Sequence, residues 1–291
     1  YHRIVYAYIP SQYAATILGA WMAVNAGLAW WELAGLVLTV GMINGVGINT
    51  AHELGHKTGS LERWLAKLAL APVAYGHFFI EHNKGHHKNV ATPEDPASSR
   101  MGETFWEFLP RTVWGALKSS VELEAQRIRR LGRSPWDPRT YLKNDVLNAW
   151  LMSLVFFGIL IAVFGPALIP FVLIQAIYGF SLLESVNYLE HYGLLRRRLD
   201  SGRYEICQPH HSWNSNHLFS NWALFHLQRH SDHHVKPDRR FPLLQTHGSD
   251  QAPQLPFGYP AMTIMAMVPP LWRRRMNPRV RAWRRQFYPE V

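Results

Sequence analysis

The chain has 291 residues, with 30 Lys and Arg against 20 Asp and Glu, giving a formal net charge of +10. Its one cysteine, Cys207, excludes intrachain disulfides, thiolate zinc ribbons and cysteine-ligated iron–sulfur clusters, so a redox metal would need His, Asp or Glu ligands. Such basic charge suits nucleic acid or an anionic membrane face, and a mean hydropathy of −0.13 conceals sharp segregation of apolar from polar sequence.

Tyr1 is not a start methionine, so an N-terminal piece is expected to precede it, and no signal peptide is evident. Residues 13–31 carry no charge and are long enough to cross a bilayer as a helix. Glu32 marks the expected turn, and a second uncharged run, 33–51, ends at His52. Residues 60–80 read as a short or interfacial helix. From Glu81 to Asn144 the chain is polar and aromatic-rich, with a helical stretch LKSSVELEAQRIRRL. Two further runs, 146–164 and 167–189, are separated only by Gly165–Pro166 and form a second helical hairpin. The remainder is polar, basic and Pro-rich, ending in WRRRMNPRVRAWRR. Core helices of a soluble protein normally show a charged face, and these four runs show none. The expectation is an all-α polytopic membrane bundle, a single embedded domain over 1–291.

Charge distribution orients it. One Lys or Arg precedes the first run, 14 lie between residues 52 and 145, and 15 follow residue 190, with none at either hairpin tip. The positive-inside rule then makes 52–145 and 190–291 cytoplasmic.

Nine histidines fall in four short clusters on that side: His52 and His56 in HELGH, His82, His86 and His87 in HNKGHH, His191 in NYLEHYG, and His230, His233 and His234 in HSDHH. Three clusters hold a pair at i, i+4, which puts two imidazoles on one helical face within reach of one metal. Taken alone, HELGH is a zinc-protease signature with Glu53 as general base, but a single zinc gives six further patterned histidines nothing to do. Nine imidazoles suit two ions of four or five ligands each. An all-nitrogen set with an open position favours iron and dioxygen, and a site where membrane helices end favours a lipid-partitioned substrate. A non-catalytic histidine-rich metal carrier is the third reading.

HELGHK, EHNKGHH, NYLEHYG and LQRHSDHH, with the flanking ATPEDPASSRMGE and PHHSWNSNH, resemble box by box the bacterial membrane alkane 1-monooxygenases of the histidine-box desaturase and hydroxylase class. The resemblance covers essentially the whole chain and departs at the front, where family members carry two further membrane helices, six spans in all. It implies a cytoplasmic His-rich cap holding two non-haem irons in a bacterial inner-membrane enzyme. That enzyme would use O2 to hydroxylate the terminal carbon of medium-chain n-alkanes, with electrons from NADH through rubredoxin reductase and rubredoxin. The nine histidines above are the implied ligands. Arene-methyl or fatty-acyl hydroxylases and desaturases are the nearest alternative within the class, and nucleic acid is not an expected partner.

Glu53, Glu81, Glu190 and Asp232 each neighbour a ligand histidine and are candidates for orienting imidazoles, or else they cap helices. His210, His211 and His217 lack a helical pair and read as structural or donor-docking. His226, four before His230, is the strongest spare ligand, and His77 reads as a hydrogen-bonded interior histidine. Helical spacing behind His52 and His191 gives a candidate substrate channel: Gly41, Asn44, Gly45 and Ile48 on one helix, and Phe180, Leu183, Glu184 and Asn187 on the other. Ordinary close helix packing predicts the same small residues.

Overall fold

A computed structural model describes residues 2–135 and 137–289. Its helices are α1 (His2–Asn25), α2 (Trp30–Gly55), α3 (Ser60–Leu70), α4 (Phe78–Glu81), α5 (Phe105–Arg130), α6 (Asp145–Phe164), α7 (Ile169–His191), α8 (Leu218–Ala223), α9 (His230–Val235), α10 (Tyr259–Ala266) and α11 (Pro269–Phe287). Among the described residues there is no strand, only isolated bridges such as Arg198–Tyr204. The chain divides into two compact units, one of residues 1–83 and 117–183, the other of residues 84–116 and 184–291.

In the first unit, three helices are long and apolar enough to cross a membrane: Trp30–Gly55, Asp145–Phe164 and Pro166–His191, the last of which runs on into the second unit. The sequence led us to expect four. The first run is divided, because α1 ends at Asn25, short of residue 31, and α1 is not one of these three. The turn is made by Gly27 in the left-handed region (φ 61°), and Glu32 lies inside α2, where its carboxylate accepts the Ala29 N–H at 2.8 Å. The second hairpin turns where expected, at Gly165 (φ 86°), a conformation open to glycine. Asn144 starts α6 by accepting the Val146 and Leu147 N–H groups, an N-cap arrangement.

The interior of this unit is polar at its centre. Asn44 donates to Gln175 at 2.7 Å and to Thr16 at 3.1 Å, and Gln175 donates onward to the Pro72 carbonyl at 2.7 Å. Buried amides of this kind must be paired, and each partner here comes from a different segment, which fixes the register of α1, α2 and α7. The same helices approach closely: a Cβ on Gly41 would lie 2.8 Å from the Gln175 carbonyl oxygen. The outward faces are aliphatic, with Leu154, Ile159 and Val163 exposed along α6.

The second unit has an aromatic core. Tyr188, Tyr192, Trp213, Phe105, Phe108 and Trp272 pack with Met276 and Val280, and α11 contributes Trp272, Met276 and Val280 from one face at i, i+4, i+8. Ser99 donates to the Tyr188 carbonyl at 2.8 Å and Trp213 to the Tyr192 carbonyl at 2.9 Å. These bonds clamp the last turn of α7 from both sides of His191.

Candidate metal centre

In the first unit, α2 presents His52 and His56 one turn apart, and His82 joins them from the end of α4. Ring centroids are 4.9 Å apart for His52–His56, 4.6 Å for His52–His82 and 5.3 Å for His56–His82. Here the i, i+4 expectation for HELGH holds. Glu53, between them, forms an ion pair with Lys57 at 3.0 Å, an engagement that tells against a water-activating base.

In the second unit, four imidazoles converge: His86, His191, His230 and His234, each offering a nitrogen within 4.8 Å of the others, all buried. The His230 Nε2 lies 3.2 Å from His191 Nε2 and 2.9 Å from His234 Nε2. Two ligands at right angles, each about 2.1 Å from one ion, sit about 3.0 Å apart. A single N–H···N bond accounts for one such pair and leaves the convergence of four rings unexplained. Burial, followed by the neighbouring imidazoles, holds His234 well below the usual histidine range, so its lone pair stays available. The donor set fits a metal ion. His87 and His233 form a further pair in the same unit, with Nε2 atoms 3.1 Å apart.

One spacing expectation fails. His82 and His86 do not share a group, and residues His82–His86 form a π turn. Such turns concentrate at functional sites.

Behind these imidazoles, the structure singles out a residue that spacing did not. Asp95 Oδ2 lies 2.8 Å from His86 Nδ1 and also accepts from Ser98 Oγ, while Oδ1 accepts the Ala97 N–H. It therefore fixes the ring with Nε2 turned toward His191 and His234. Burial pushes this carboxyl up, yet His86, Ser98 and His191 together outweigh it and hold it below the usual range. Its signal in the sequence is a carboxylate followed by Ser98 and Ser99 in a Pro-flanked loop close after a ligand, legible once the fold closes that loop back.

The four carboxylates expected around the ligands differ in role. Glu190 Oε2 lies 3.2 Å from His230 Nε2, and Tyr259 donates to its Oε1 at 2.6 Å, so it sits beside the nitrogen that faces the cluster, not behind the ring. Asp232 accepts from Arg239 and the Gln245 N–H and ties down the following loop. Glu53 is engaged by Lys57, and Glu81 is buried at the end of α4.

His226 is not a ligand partner of His230. The helix does not extend back to it: α9 begins at His230, and His226 sits in the left-handed region (φ 57°) with Nδ1 3.1 Å from the Phe241 carbonyl. His77 is interior as expected, but neither ring nitrogen has a hydrogen-bond partner among the described residues; the ring meets Tyr75 edge-on at 4.4 Å. His210 and His211 cluster with Glu205 and resemble a metal site on distance alone. The Gln208 N–H, however, donates to His211 Nδ1, so Nε2 carries the proton and donates to Tyr288 at 2.6 Å, which in turn donates to Glu205. That ring is committed to hydrogen bonding. His217 Nδ1 lies 2.8 Å from Ser215 Oγ.

Of the channel candidates in the first unit, Gly41 and Gly45 are close-contact positions against α7 backbone, Asn44 belongs to the Gln175 network, Ile48 and Leu183 are buried, and Phe180 stacks on Tyr75 at 5.0 Å. In the second, Glu184 accepts from Thr112 at 3.0 Å and Asn187 at 3.2 Å.

Residues 28–265 match the fatty acid desaturase family. The chain is 48% identical over 284 residues to an alkane 1-monooxygenase of Pseudomonas putida, covering 97% of this chain and 69% of that protein. It is 49% identical over 283 residues to alkane 1-monooxygenase 1 of Alcanivorax borkumensis, again 97% and 69%. This chain belongs to the alkane 1-monooxygenase family. A more distant relative, at 28% identity over 261 residues, is the xylene/toluene monooxygenase hydroxylase component of Pseudomonas putida, with 88% of this chain and 67% of that protein covered. Among alkane 1-monooxygenases, then, the histidine boxes of this chain sit on helix ends and short turns, held by carboxylates and backbone clamps.

Proposed function

We propose that this chain is a membrane hydroxylase that converts medium-chain n-alkanes to 1-alkanols, using a non-haem di-iron centre, O2 and electrons delivered by rubredoxin. The observation that carries the reading is the convergence of four buried imidazoles, His86, His191, His230 and His234, within 4.8 Å of one another, in a chain nearly half identical to alkane 1-monooxygenases. The other box histidines are the further candidate ligands: His52, His56 and His82 on the first unit, and His87 and His233 on the second. Bound iron would activate dioxygen, so that R–CH3, O2, two electrons and two protons give R–CH2OH and water.

The residues themselves supply three things. Imidazoles kept neutral by burial offer lone pairs without a competing positive charge. Asp95 orients His86, and the Ser99 and Trp213 bonds hold His191 in place. Apolar helices receive a substrate that water rejects. The distribution of Lys and Arg supports a cytoplasmic position for the histidines, and the bacterial inner membrane is the compartment that reading implies. The excess of basic residues there would steer an acidic electron donor toward the cap.

The test is turnover of octane by the purified full chain in lipid, with rubredoxin, its reductase and NADH. Formation of 1-octanol with O2 uptake is expected. Oxidation of xylene methyl groups in preference to octane would move the assignment to the arene-methyl branch, and peptide cleavage without O2 uptake would restore the HELGH protease reading.

A further inference from the structure

The second unit carries an edge that neither its fold nor its metal ligands explain. Trp106, Ile264, Val268 and Leu271 are 57%, 70%, 47% and 48% exposed, and they are neighbours: the Trp106 indole N–H donates to the Met267 carbonyl at 3.2 Å. This bond leaves the apolar ring outward with its one polar atom already satisfied. On α10, Tyr259, Met262 and Ala266 are buried while Ile264 points away from them. On α11, Trp272, Met276 and Val280 face the core. The opposite face carries Leu271, Arg274, Arg275 and Pro278 at i, i+3, i+4 and i+7, all exposed. Arginine thus follows directly on the aliphatic row, and the Arg275 guanidinium lies 5.3 Å from the centre of the Phe257 ring. Helix α11 holds seven arginines and no acid, and α10 is uncharged.

We propose that this edge is a lipid contact. Trp106, Ile264, Val268 and Leu271 enter the interfacial layer of an anionic bilayer, while Arg274 and Arg275 bind its phosphates. Each half of the pattern matches one layer of that surface: Trp and aliphatic tips suit the acyl boundary, and arginines with long apolar stems reach headgroups. An acidic protein would match the arginines alone and leave a row of four large apolar side chains unmatched. The chain also holds three helices able to cross a membrane, so a bilayer is at hand. The contact does not depend on what the metal centre does.

Spin labelling tests it on the full chain in vesicles of phosphatidylcholine with about one-third phosphatidylglycerol. Cys207, the sole cysteine, is replaced by Ser, and a nitroxide is placed at Ile264→Cys or, as a control, at the exposed turn residue Ser201→Cys. Relaxation by oxygen relative to a water-soluble nickel chelate should be several-fold higher at 264 than at 201. Arg274→Gln with Arg275→Gln should lower that ratio at 264 in anionic vesicles and leave it unchanged in pure phosphatidylcholine, with helical circular dichroism retained. Equal nickel access at 264 and 201 would overturn the proposal. So would a 264 label shielded from both reagents, which would mean that a second copy or another stretch of protein covers the edge. Protection of 264 only when rubredoxin is added would likewise replace the lipid with a protein partner.

Discussion

The two units solve the problem of packing helices in opposite ways. In the first, the three helices of membrane-spanning length are apolar on nearly every face, so apolarity cannot say which side turns inward; Asn44, Thr16, Gln175 and the close approach at Gly41 do. In the second, α11 alternates an apolar face with arginines, and the core is a stack of Tyr188, Tyr192 and Trp272 with ring centroids 5.1 to 5.3 Å apart. Where lipid is the solvent, hydrophobic burial does little to choose partners, and hydrogen bonds and small residues set the register. Where water is the solvent, the amphipathic face does that work. The nine box histidines are spread over both kinds of framework: three on the first unit and six on the second.

The sharpest way to break this contrast is at the four-imidazole cluster. His230→Ala should reduce alkane turnover by at least about 100-fold, because it removes a metal-facing nitrogen and no neighbouring group can replace it. Gly41→Val comes next. Its side chain would be forced against the Gln175 carbonyl, costing about 1–3 kcal/mol, seen as a lower melting temperature in detergent with far less effect on the aromatic core of the second unit. Asp95→Asn should weaken iron retention about 10- to 100-fold, since an amide orients the His86 ring less firmly than a carboxylate. Dialysis against a chelator reads this without any activity assay, and Asp95→Glu should recover part of the loss. Gln175→Leu leaves one Asn44 N–H and the Pro72 carbonyl without their Gln175 partner and should cost about 1–3 kcal/mol, again in the first unit only.

A further expected effect is one of pH. Burial, followed by His210, lowers His211 to about 3 from its ordinary 6.5. The unfolded chain therefore binds a proton that the folded one refuses as pH falls below 6.5, so the second unit loses stability between about pH 6.5 and 3. His211→Gln should flatten that acid limb, measured by thermal melting at pH 7 and pH 5.

Much of this was legible in the sequence. The boxes were found by spacing, and the second hairpin by two apolar runs meeting at Gly165–Pro166. The long amphipathic α5 was signalled by LKSSVELEAQRIRRL. What failed did so for local reasons. The first apolar run ended early because Gly27, not Glu32, makes the turn; Glu32 is a helix-start residue that only resembled a loop charge. The π turn at His82–His86 was not visible because hydrophobic period does not encode it. His226 looked helical by counting back from His230, but the chain bends at Phe225 and His226, both at positive φ. Asp95 stayed hidden because its partner is reached through tertiary folding of a loop.

The measurement closest to the central claim is the metal content of the purified full chain, by mass spectrometry. We expect about two irons per chain, falling to about one in His191→Ala and in His230→Ala while helical content is kept. One zinc per chain, or an iron content that neither substitution changes, would contradict the account.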